Sequence, residues 1–154
     1  MNSKRMHGFT LIEILMVVVI IGIIAALAVP SYNSQIVKTR RSDCQAILMS
    51  FAQAMEKHYT INYTYLGAGA SGDTGAPAAA VHPNKCPMET SGPTYYNLTI
   101  QAATVNSFTV RATPVAGSTQ AGDGIMEVNS LGQRFWDNNN DGDTSDTGEN
   151  DWKI

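Results

Sequence analysis

Cysteine is scarce in this chain, charge is sparse and histidine is rarer still, and each shortage removes a class of function. Two cysteines, Cys44 and Cys86, cannot build a cysteine scaffold or a four-thiolate zinc site, and their spacing matches no redox or zinc motif. The three histidines, His7, His58 and His82, have no serine or cysteine nucleophile signature near them, so the chain reads as a non-enzyme with no catalytic residues and no required cofactor. Charged residues make up 15% of the 154, with a net charge of -3, and Lys38, Arg40 and Arg41 form a small basic cluster. That cluster follows an apolar run, where an anionic membrane surface is a commoner partner than DNA, so nucleic acid is not an expected partner. The length leaves room for one globular head.

What the sequence does have is a long apolar run, Phe9 to Val29, in which Thr10 and Glu13 are the only polar side chains. As a helix it would span ~31 Å, about one bilayer core. Before it lies a short polar leader, residues 1–8, with Lys4 and Arg5 and no acid, which favours a cytoplasmic N-terminus and an exported head. Lys38, Arg40 and Arg41 beyond the run weaken that charge rule. An ordinary secretory signal would be cut near Ala25, Ala26 or Ala28 and would leave a secreted enzyme or binding module. Glu13 argues against it, because an unpaired carboxylate inside an apolar run costs several kcal/mol and calls for a cationic partner. A cut between Gly8 and Phe9 would create one, a free amine one helical turn from Glu13.

The residues Gly8-Phe9-Thr10-Leu11-Ile12-Glu13, between a basic leader and an apolar run, closely resemble the class III signal of type IV pilins and pseudopilins. The resemblance implies that a prepilin peptidase cuts after Gly8 and methylates Phe9, and that Glu13 guides subunits into the filament by pairing with a neighbour's terminal amine. It also implies the partners: other pilin subunits, the prepilin peptidase and an inner-membrane assembly platform. The expected location is the bacterial inner membrane, single pass with a periplasmic head, and then the extracellular pilus. Gly22 and Pro30 punctuate the helix, and the stretch between them should be its softest part.

Past Pro30, Ile36, Ala46, Ile47, Phe51, Met55 and Tyr59 recur at three- and four-residue steps, which predicts a helix running to about Asn62. Such a helix would be ~80 Å long, too long for one small core, so half of it must pack on lipid or on other copies. Residues 63–94, rich in Gly, Ala, Ser and Pro, read as a long surface loop. Cys86 lies in that loop and Cys44 on the helix; in an exported domain they form a disulfide closing about 42 residues, worth up to ~4 kcal/mol, and otherwise two buried thiols. Strands are expected at Tyr95–Ala102, Ser107–Thr113, Ile125–Asn129 and, after a Ser-Leu-Gly turn, Gln133–Trp136.

The fold class is therefore α+β: a long N-terminal helix, half membrane-spanning and half packed on the head, against a four-stranded antiparallel sheet. The domain reading is a leader at 1–8, a membrane or filament-core helix at 9–29, and a head at 30–154 comprising helix, loop 63–94, sheet 95–136 and acidic tail 137–154. Tyr95-Tyr96-Asn97-Leu98-Thr99-Ile100, Phe108-Thr109-Val110-Arg111-Ala112-Thr113-Pro114 and Leu131-Gly132-Gln133-Arg134-Phe135-Trp136-Asp137 resemble PilE-like minor pilins in particular. The function so implied is a minor pilus subunit, with motility, adhesion and DNA uptake all left open as roles of the assembled fibre.

In the tail, Asp137, Asn139, Asp141 and Asp143 stand at alternate positions with Gly142 at the sixth, the first half of a calcium loop. The twelfth position, where an EF-hand wants a bidentate acid, is Gly148; Asp146 and Glu149 flank it. Two readings stay open: a non-EF calcium loop, and a solvated polar turn. A calcium-holding tail would fit the alternative of a type II secretion pseudopilin.

Overall fold

The computed structural model describes residues 9–89 and 91–152, and the leader, including Gly8, lies outside them. The chain divides into two compact units, Met1–Ile36 and Val37–Ile154.

One helix, α1, runs from Leu11 to Asn62, 52 residues with Pro30 inside it. Thr10 starts it: its hydroxyl accepts from the Glu13 amide at 3.3 Å, while the Glu13 carboxylate reaches back to the Thr10 amide at 3.5 Å. This is a capping box, which satisfies two of the amide donors that every helix start leaves unpaired. At the far end Tyr63 takes a left-handed backbone (φ 58) and returns its amide to the Tyr59 carbonyl at 2.7 Å, the geometry that ends many helices.

Within the second unit, α1 buries Cys44, Gln45, Leu48, Phe51, Ala52 and Met55. The stripe differs from the expected one, which included Ala46 and missed Leu48. Ala46 is exposed and Leu48 fully buried, because the core-facing line is anchored at Cys44 and recurs from there.

Five strands, not four, form one antiparallel meander: β1 Lys85–Cys86, β2 Tyr96–Ala103, β3 Phe108–Pro114, β4 Met126–Asn129 and β5 Arg134–Trp136, in that order across the sheet. The extra strand, β1, is two residues long inside a stretch with no hydrophobic period, so alternation could not reveal it. Tyr96, Leu98 and Ile100 of β2, Val110 and Ala112 of β3, and Met126 and Val128 of β4 turn inward and share one cluster with Leu48, Phe51 and Met55. Register supports this, with Ile100 opposite Val110 and Val110 opposite Val128. A shift between Ile100 and Ala102 keeps both Phe108 and Ala103 on the core.

The segment 63–94 is not wholly a surface loop. Tyr65, Ala68 and His82 are buried, and Gly75 exchanges both backbone hydrogen bonds with Ile100 at 2.9 and 2.7 Å. The loop thus supplies part of the lid of the core, which its composition concealed.

Candidate functional site

The first unit offers the features expected of an assembly element. From Leu11 to Val29 the large apolar side chains stand about half to four-fifths exposed, and α1 is long and apolar enough here to cross a membrane. Phe9 is 80% exposed. Glu13 is the one charged group of the run, and its carboxylate bonds only to the Thr10 amide among the described residues. The sequence reading assigned Glu13 a role between subunits and missed the capping box; the Thr-x-x-Glu spacing ahead of the apolar run was the signal that could have found it.

In the second unit, Cys44 and Cys86 form a disulfide with a Cα–Cα distance of 5.6 Å, which ties α1 to β1 and settles the open choice about the thiols. The peptide after Cys86, to Pro87, is cis. Beside the bridge, the basic cluster is drawn into the head. Arg41 forks onto Asp123, with Nε to Oδ2 at 2.9 Å, and its guanidinium lies 3.9 Å over the Trp136 ring. Arg40 stacks 3.9 Å over Tyr95 and bonds the Thr119 hydroxyl. The Tyr96 hydroxyl donates to Asp123 and accepts from Gln120 Nε2 at 2.8 Å, and Gln120 reaches the Val37 carbonyl at 3.2 Å. Burial and then the Asp123 carboxylate push the Tyr96 hydroxyl well above the ordinary tyrosine range. Burial likewise raises Tyr65 to about 12, reinforced by its hydrogen bond to Glu56. Neither tyrosine ionises near neutral pH, so both act as fixed donors.

The tail is a folded loop closed at both ends. Gly124 makes this possible: at φ 76, a Cβ there would stand 1.7 Å from the Asp137 carbonyl oxygen, so no other residue admits the approach. Asp137 is 1% exposed, and its carboxylate accepts from the Asp141 amide at 3.2 Å and the Gly142 amide at 3.0 Å. Asn139 Nδ2 donates to both Asp141 and Asp146 at 3.0 Å. Asp143 turns instead to Ser145, accepting from its amide and hydroxyl at 2.8 and 2.9 Å, and these bonds hold its carboxyl below the usual range. Glu149 is 1% exposed, with Oε2 on the Asp146 amide at 3.3 Å. The Trp136 amide donates to the Glu149 carbonyl at 2.9 Å, and Thr144 anchors the loop to Glu127 of β4 at 2.8 Å. Among the described residues no three His, Cys, Asp or Glu side chains already converge on one point. The expected four residues thus lie in one loop, but the Asp143 carboxylate bonds to Ser145, and Glu149, beyond the motif, accepts from the Asp146 amide.

Comparison with known proteins agrees with this architecture. Residues 30–124, more than half the chain, match the family described as type IV minor pilin ComP, DNA uptake sequence receptor, and residues 3–29 match the prokaryotic N-terminal methylation motif. A probable minor fimbrial protein of Dichelobacter nodosus is 39% identical over 71 residues, covering 44% of this chain and 43% of that protein. Type II secretion system core protein G of Pseudomonas aeruginosa is 37% identical over 65 residues, covering 42% and 46%. The chain thus spans less than half the length of these curated relatives. A crystal structure of the Neisseria meningitidis minor pilin PilV aligns with a TM-score of 0.49 at 18% identity, covering 78% of this chain and 99% of that one. With the methylation motif, the exposed apolar helix and the disulfide-pinned α+β head on one chain, the match over residues 30–124 shows that it belongs to the type IV minor pilin ComP family.

Proposed function

We propose that the chain is cut between Gly8 and Phe9 by a prepilin peptidase and methylated at Phe9. It is then held in the inner membrane with its head in the periplasm, and drawn from there by the assembly platform into a type IV pilus. Pilins are structural proteins, so no catalytic step is sought. The observation that carries the reading is Glu13: a single carboxylate, one turn from Phe9, in a helical stretch to Val29 whose large apolar side chains are exposed and which holds no other charge. In the fibre it pairs with a neighbour's terminal amine, and wrong register leaves a charge in an apolar bundle. The match of residues 30–124 to a minor pilin family favours the pilus over the type II secretion alternative.

The test is Glu13→Ala, followed by intact mass of the membrane form and quantitation of the subunit in sheared filaments. The mature mass should differ from wild type only by the substitution, while the amount in filaments falls at least about ten-fold. Equal incorporation would overturn the pairing role.

A second reading, DNA capture, is favoured by the description of the matched family. Electrostatics weigh against it as the main role. Binding a duplex rests on Lys and Arg that neutralise phosphates, and here Arg41 and Arg111 are paired with Asp123 and Glu127 while Arg40 lies on Tyr95. Gel-shift titration of the full chain with duplex DNA at low salt tests it. Retention that weakens when Lys38 or Arg134 is replaced by alanine would put DNA capture first.

A further inference from the structure

The loop between β5 and the C-terminus carries five carboxylates, Asp137, Asp141, Asp143, Asp146 and Glu149, with no Lys or Arg among residues 137–149. Among the described residues, the ion pairs are Arg41 with Asp123 and Arg111 with Glu127, and neither involves the loop. Such a concentration of acids is ordinary on a solvated surface. It is not ordinary for Glu149, which is 1% exposed and whose Oε1 has no hydrogen-bond partner among the described residues. A buried carboxylate oxygen left unpaired is costly, and native structures rarely retain one without a partner. The other oxygen, Oε2, accepts from the Asp146 amide at 3.3 Å, a bond within the loop. In the same loop, the Asn139 amide nitrogen stands between the Asp141 and Asp146 carboxylates, at 3.0 Å from each.

We propose that this loop binds a calcium ion, with the side-chain oxygens of Asn139, Asp141, Asp146 and Glu149 as donors and Asp137 holding the turn through the Asp141 and Gly142 amides. The Asn139 amide nitrogen marks the point between two acids where positive charge is most favourable. Turning that amide over presents its oxygen to the ion in place of the nitrogen and gives up the bond that the oxygen now accepts from the Asp141 amide at 2.9 Å. Gly142, at φ 101, permits the tight turn this geometry needs. Several carboxylates in one loop suit calcium, which accepts six to eight oxygens in irregular geometry, better than magnesium, which keeps its waters. Since the N-terminus of the loop is held to Ile125 and its C-terminus to Trp136, the ion would lock the tail onto the β4–β5 edge. The site is independent of the pilus reading and would stand if that reading failed.

The experiment uses the full chain in detergent, stripped with EGTA and titrated with terbium(III) under tryptophan excitation, because Trp136 adjoins Asp137 and Trp152 follows the loop. Sensitised emission should appear and be displaced by calcium at ~1 mM or below, and not by the same magnesium concentration. Glu149→Gln and Asp141→Asn should each weaken the emission at least about ten-fold. Glu149→Gln should also invert in thermal melts, with a midpoint no lower than wild type in EGTA, where it removes a buried unpaired charge, and lower in calcium. Absence of sensitised emission from wild type, emission unchanged in both variants, or equal displacement by magnesium would overturn the proposal.

Discussion

The two halves of α1 are one continuous helix written in two different styles. From Leu11 to Val29 the side chains are apolar on every face and exposed. From Cys44 to Met55 the apolar side chains are confined to one stripe, and Cys44, Leu48, Phe51 and Met55 are at most 1% exposed. A helix with a single apolar stripe is completed by one partner surface, here the chain's own sheet; a helix apolar all round must be surrounded. The difference teaches that the head can settle its own free energy as a monomer, whereas the N-terminal half is stable only in lipid or among other copies of itself. The same contrast separates the charges. Arg41 and Asp123 satisfy each other within the head, while Glu13 makes only a long intrahelical contact at 3.5 Å among the described residues.

The sharpest way to break this comparison is to delete equivalent apolar volume in each half. Phe51→Ala should cost the head ~3–5 kcal/mol, because it empties a site with 0% exposure and unstacks His82, whose ring centroid lies 4.9 Å away. Ile20→Ala, at a position 55% exposed, should leave the melting midpoint of the head unchanged within error and show its effect in filament yield instead. Thermal unfolding of the full chain in detergent, followed by near-ultraviolet circular dichroism, checks both. Comparable losses from the two substitutions would mean that the N-terminal half is already partnered within the monomer.

Much of this division could be read from residues alone, and the reasons are physical. Glu13 stands out because it is the one charged residue of an apolar run, and the helix end at Asn62 is legible because the apolar period stops there. The sheet's central strands carry strict alternation, as in Phe108, Val110 and Ala112. What escaped reading lacks a local signal. Strand β1 is two residues held in place by a disulfide and by pairing with Asn97 and Tyr96. The burial of Tyr65 and His82 depends on where the loop returns, not on its composition. By sequence Arg40 and Arg41 read as a cluster beside an anionic membrane surface, and their aromatic and acidic partners, Tyr95, Trp136 and Asp123, lie far along the chain. In the tail the spacing of Asp137, Asn139 and Asp141 was visible, but the inward turn of Glu149 was not, since it falls one place past the position an EF-hand would use.

A smaller effect sharpens the comparison inside the head, where polar groups rather than volume are at stake. Tyr96→Phe keeps the ring that fills the core and removes only the hydroxyl. Asp123 then retains Arg41, and Gln120 retains the Val37 carbonyl, so neither is left orphaned. The loss should therefore be ~1.5 kcal/mol, the low end for a hydrogen bond to a charged group. Asp123→Ala removes the partner of Arg41 as well and should cost at least twice as much, by leaving a largely buried guanidinium unpaired. Denaturant midpoints of the two variants give the ratio directly.

The smallest expected effect concerns His82, which is 6% exposed, stacks on Phe51 and donates from Nδ1 to the Pro83 carbonyl at 2.7 Å. Its Nε2 has no hydrogen-bond partner. Burial holds the ring below the ordinary histidine value of 6.5, opposed in part by the Pro83 carbonyl, which favours the protonated form. The sign follows from which state takes the proton first. Well above 6.5 both folded and unfolded chains carry a neutral ring, and stability does not depend on this group. As pH falls through 6.5 the unfolded chain protonates before the folded one, so stability declines until the folded ring also titrates. His82→Phe keeps an aromatic face against Phe51 and removes the proton. Melts between about pH 8 and about pH 5 should show a shallower decline for the variant than for wild type, with the curves parallel above about pH 7. Identical slopes would mean that the folded and unfolded rings titrate alike, and that this loop segment opens to water far more readily than its burial implies.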